Sequence, residues 1–199
     1  MANKTIFFET NNIYAQDGSV DEYELGTACT IHIQGRVINK FKELFEKTSV
    51  PTTPKLSYTH LKDSQYDIVG YVYKKQDEYA FMDLGNFSIF LCKDAGSLEE
   101  GKFYTATVDF VYDIWDCYNL EMHDTHDNNL ELEGTIQSIF IDTSRYVQLE
   151  SEKSWTKENV NSNYDVSLNK TACWDDEKYS NGSVNYLIGL ELKESNSHA

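Results

Sequence analysis

Residues 66–73 read Tyr-Asp-Ile-Val-Gly-Tyr-Val-Tyr, and this stretch decides the fold class. Tyr66, Ile68 and Val72 fall on one side of an alternating pattern and Asp67, Val69, Tyr71 and Tyr73 on the other, the period of two that belongs to a strand. β-branched and aromatic residues supply nearly all of it, the composition that fits a pleated, half-buried surface. Working outward, the text continues as a turn at Lys74 to Glu78, a strand over 78–84, a turn at Gly85-Asn86, a strand over 86–92, a loop through Gly96 and Gly101, and a long strand over 103–114. The same alternation predicts strands at 4–9, 28–34, 130–141, 145–150 and 184–192. One segment departs from it. Residues 36–47 (RVINKFKELFEK) place Val37, Phe41, Leu44 and Phe45 at helical spacing with lysines and glutamate opposite, which predicts an amphipathic helix. The fold class is therefore mainly β, or α+β by count of elements: an antiparallel barrel or sandwich with one helix near 36–47.

Three strand-like runs carry a single internal glycine: Ile-His-Ile-Gln-Gly-Arg-Val at 31–37, Asp-Ile-Val-Gly-Tyr-Val at 67–72 and Glu-Leu-Glu-Gly-Thr-Ile at 131–136. Glycine inside a strand marks a bulge or a sharp coil, as closed barrels require. With its long, glycine-interrupted first strand and the meander that follows, the segment 64–120 resembles the opening of an OB-type barrel. A second unit of the same kind fits 129–193. Pro51 and Pro54, the only prolines, mark the best boundary, between a strand-plus-helix unit at 1–50 and a β-rich part at 51–199. One compact β domain is the alternative.

Composition narrows the function classes. The chain has 199 residues, 40% of them hydrophobic and 14% aromatic, enough for a substantial core. Its formal net charge of −16 repels nucleic acids and anionic membranes and favours basic partners. Arg36 and Arg145 are the only arginines, so bidentate phosphate recognition has little to work with. Cys29, Cys92, Cys117 and Cys173 are far apart and read as reduced, buried thiols. No charged and apolar leader pattern opens the sequence and no apolar run approaches about 18 residues, so the expectation is a cytoplasmic protein without a membrane span.

The acidity is concentrated. Between Lys102 and Arg145 there is no basic residue and there are nine carboxylates: Asp109, Asp113, Asp116, Glu121, Asp124, Asp127, Glu131, Glu133 and Asp142. Phe110, Tyr112, Trp115 and Tyr118 are threaded through them. Fixed negative charge raises the rate of encounter with a cation, and desolvated aromatic anchors supply affinity. The expected partner-binding residues are Asp109, Asp113, Trp115, Asp116, Tyr118, Glu121, Asp124 and Asp127. The expected function is an acidic binding protein that masks a basic protein, by analogy with immunity proteins and phage-type DNA-mimic inhibitors of nucleases and other nucleic-acid-binding proteins.

Two alternatives use other residues. His123, Asp124, His126 and Asp127 form a His-x-x-His cluster with carboxylates that would take a divalent metal if a turn gathered them, giving a metal-dependent enzyme; a solvated loop is the plainer reading. Otherwise the chain shows no nucleophile elbow, no phosphate-binding glycine loop and no kinase string, so no catalytic residue is assigned and no cofactor beyond that metal is implied. The second alternative is an oligonucleotide-binding module stacking bases on Tyr71, Tyr73, Tyr79, Phe81 and Phe87 beside Lys74 and Lys75. Aromatics at alternating strand positions are more often core, and a negative surface opposes the phosphates.

Overall fold

The computed structural model describes residues 5–11, 23–44, 53–76, 78–92, 94–113, 130–144, 146–148, 155–157, 163–171 and 185–193. These residues are mostly in strands: β1 (Thr5–Asn11), β2 (Ala28–His32), β3 (Gln34–Val37), β4 (Lys42–Glu43), β5 (Ser57–Lys62), β6 (Gln65–Gln76) and β7 (Tyr79–Asp83). After these come β8 (Ser88–Leu91), β9 (Phe103–Tyr112), β10 (Glu131–Ile141), β11 (Tyr146–Gln148), β12 (Trp155–Lys157), β13 (Val166–Leu168) and β14 (Asn185–Leu192). A short 3-10 turn, Asp94–Ser97, lies between β8 and β9. Among the described residues no helix is long and apolar enough to cross a membrane.

Twelve strands form one sheet, and part of it closes on itself. β6 pairs antiparallel with β7, and β7 with β8; β8 runs parallel to β3; β3 pairs antiparallel with β9, and β9 with β6. The result is a closed five-strand barrel, which leaves no unpaired edge along its ring. A second ring of pairings shares two stretches of that barrel. The end of β9 lies parallel to β1, while β1 pairs antiparallel with β14, β14 with β10 and β10 with β2. Only Ile33 separates β2 from β3, so one run of chain serves both rings. Strands from before Pro51 and after it therefore lie in the same sheet.

The strands that the alternation predicts all form, while β4, β5, β12 and β13 fall outside the predicted segments, and the inward faces merge. Tyr66, Ile68 and Val72 of β6, Met82 of β7, Ile89 and Leu91 of β8 and Phe110 of β9 share a single apolar cluster with Ile6, Phe8, Ile136, Ile139 and Ile188 of the second ring. Burial of this kind stabilises by about 25 cal/mol per Å² of apolar surface removed from water. The three glycines singled out in the sequence, and Gly189 of β14 with them, face neighbouring side chains. A Cβ at Gly35 would sit 2.8 Å from Leu91 Cδ2, one at Gly134 2.6 Å from Leu190 Cγ, and one at Gly70 would collide with the Met82 side chain.

Residues 36–44 are not helical. Val37 ends β3 opposite Val108, residues 38–41 bend, and Lys42–Glu43 form β4 opposite Thr105 and Tyr104; residues 45–47 of the expected helix lie outside the described residues. The physical reason is the long edge of β9. Its amides and carbonyls need partners, and this segment supplies them: the Ile38 N–H donates to Thr107 O at 3.0 Å and the Leu44 N–H to Phe103 O at 2.9 Å. Val37 and Phe41 still reach the core, Phe41 edge-on to Tyr104 at 6.1 Å between ring centroids.

Tyr66 ties the two rings together. Its phenol oxygen accepts the Phe7 N–H of β1 at 2.6 Å, and its ring stacks on Phe110 with centroids 4.1 Å apart and planes 16° from parallel. His60 of β5 closes the group, stacked on Phe7 at 5.1 Å.

Candidate functional site

Asp109 is the first of the expected partner-binding residues along the chain, and the fold gives it a more balanced setting than the local sequence implies. Arg36 of β3 stands opposite Asp109 on one side and Gln65 of β6 on the other, with Lys62 of β5 opposite Gln65. These four residues form one cross-strand row. Burial pushes the Asp109 carboxyl above the usual carboxylate range, opposed by the Ser64 hydroxyl, by the charges of Arg36 and Lys62, and by Gln65. The Ser64 hydroxyl donates to Asp109 Oδ1 at 3.3 Å. One row further along, the Thr107 hydroxyl donates to Asp67 Oδ1 at 2.7 Å. Asp113 lies directly after β9 and is half-buried.

The strands unique to the second ring carry a different charge pattern. β1, β2, β10 and β14, with β13 paired at the edge of β10, contain Glu9, Glu131, Glu133 and Glu191 and no lysine or arginine. The strands of the closed barrel carry Arg36, Lys74 and Lys75 against Asp67, Asp83 and Asp109, which cancel formally. The alternation of β10 explains the contrast: Leu132 and Ile136 point into the core while Glu131 and Glu133 stand exposed on the other face. Glu191 of β14 lies opposite Thr135 of β10 and accepts Gln137 Nε2 at 2.7 Å. Lys193, just beyond β14, donates to Glu133 Oε2 at 2.7 Å and holds that carboxyl below the usual range by the hydrogen bond and its charge. Both side chains are more than half exposed, so the pair adds little to stability.

The stacking residues of the oligonucleotide reading are mostly taken up by packing. Tyr79 and Phe81 lie in a second apolar cluster with Phe90, Cys92 and Leu130 on the outer side of β7 and β8, and Phe87 packs inside the barrel 4.8 Å from Tyr58. Tyr71 and Tyr73 are half-buried, Tyr71 against Phe103 at 4.9 Å. Lys75 Nζ donates to Gly96 O and to Leu98 O, while Lys74 Nζ lies 5.1 Å from the Phe81 ring centre. The two lysines are thus engaged by the barrel itself.

Trp115, Asp116, Tyr118, Glu121, His123, Asp124, His126 and Asp127 lie outside the described residues, and with them the expected metal cluster. Among the described residues no group of three His, Cys, Asp or Glu side chains is arranged to hold a metal ion. Cys29 and Cys92 are not disulfide-bonded; Cys92 is buried and accepts a hydrogen bond from Gln34 Nε2 at 2.9 Å. Sequence reasoning missed the Arg36–Asp109–Gln65–Lys62 row, whose members come from four strands and leave no local trace, and it missed the part of Glu191, which lies far along the chain from Glu131 and Glu133. No protein-family model, curated protein or solved structure matches the chain.

Proposed function

We propose that this chain is an acidic cytoplasmic binding protein that masks a basic protein, an immunity protein or phage-type inhibitor that occupies the nucleic-acid site of a nuclease or similar target. The observation that supports this is the set of second-ring strands carrying four carboxylates and no lysine or arginine. Carboxylates on a rigid sheet are held in place before binding, so their field steers a basic partner without the ordering cost that a flexible acidic tail would incur. We read the closed barrel as OB-like: β6, β7 and β8 follow one another, β3 runs parallel to β8, and β9 closes on β6, with β3 supplied from upstream in the chain. Here the barrel serves as scaffold, since much of its aromatic surface is packed away.

The test is affinity capture at low and moderate salt, comparing the native chain with Glu131→Lys/Glu133→Lys/Glu191→Lys. The expected result is one stoichiometric basic protein bound by the native chain, released by salt, and lost with the triple variant while the thermal midpoint holds. Undiminished binding by a stably folded triple variant overturns the assignment to this face. Absence of any basic partner at low salt overturns the function.

A further inference from the structure

We draw no further inference here: the strongest candidate, the outer face of β3, β9, β6 and β5 with Arg36 and Lys62 at one end and Tyr71 and Phe103 at the other, carries nothing because nothing in the structure shows what covers it.

Discussion

Replacing Tyr66 by phenylalanine removes one oxygen, the acceptor for the Phe7 N–H at 2.6 Å, and leaves the ring that stacks on Phe110 at 4.1 Å. Burying a donor without a partner costs about 1–3 kcal/mol, and this amide is only part-buried, so a loss of about 1–2 kcal/mol is expected. For a chain of 199 residues that corresponds to a fall of roughly 2–8 °C in thermal midpoint. The local signature is sharper than the global one. Hydrogen exchange at the Phe7 amide should accelerate roughly 5- to 30-fold, because the same free energy shifts the opening equilibrium that exposes it. Tyr71→Phe is the control: that ring packs against Phe103 on the outer face, and its loss of a hydroxyl should leave both readouts unmoved. Tyr66→Phe with an unchanged melting curve and unchanged Phe7 exchange would refute the idea that this phenol joins β1 to β6.

Three further outcomes follow from the same geometry. Burial raises the folded-state pKa of Asp109, so the stability this group contributes is fully present below its unfolded value and is lost as pH rises through the folded one; Asp109→Asn should therefore be more stable than the native chain at neutral pH, with the difference closing in acid. Thermal melts across pH check this, and a destabilised asparagine variant at neutral pH would show that Arg36 and Lys62 outweigh burial. Gly70→Ala should cost about 1–3 kcal/mol by forcing the Met82 side chain aside, read by urea unfolding; a neutral effect would mean that β6 and β7 are not packed so closely. Burial pushes the Tyr58 phenol from its ordinary 10.0 up to about 12 and raises Tyr66 as well, so stability holds below about pH 10 and falls as pH climbs toward 12. Alkaline unfolding should be blunted in Tyr58→Phe/Tyr66→Phe, and an unchanged alkaline limb would place both phenols in water.

Much of what was read locally holds, because alternation and turn residues act over neighbouring positions, although β5, β12 and β13 were not predicted. The text of 66–73 gives β6, and that of 103–114 gives β9; Gly85, at φ 94°, makes the turn before β8 with its N–H on Asp83 Oδ1 at 2.7 Å. The glycines of β3, β6 and β10 read in the sequence as bulges or sharp coils; that they make room for the Leu91, Met82 and Leu190 side chains was not legible there. Charge followed the same division. The sequence places Glu131 and Glu133 on one face of a strand; only pairing with β14 adds Glu191 beside them.

The sequence by itself determined the β class, most of the strands, the strand glycines and the overall acidity, all of them properties of near neighbours and of composition. The tertiary structure decided the closure of the barrel, the sharing of β9 and the β2–β3 run between two rings, and the identity of residues 36–44. Val37, Phe41 and Leu44 have a spacing that brings them to one face in a helix, but a strand, a bend and a short strand also carry Val37 and Phe41 to the core. Local pattern therefore leaves the two conformations open, and the hydrogen-bonding edge of β9, far downstream in the sequence, settles the choice through Thr107 and Phe103. For the same reason, Arg36 meets Asp109 only because two distant strands pair, and the charge setting of the first expected site residue was fixed by the fold.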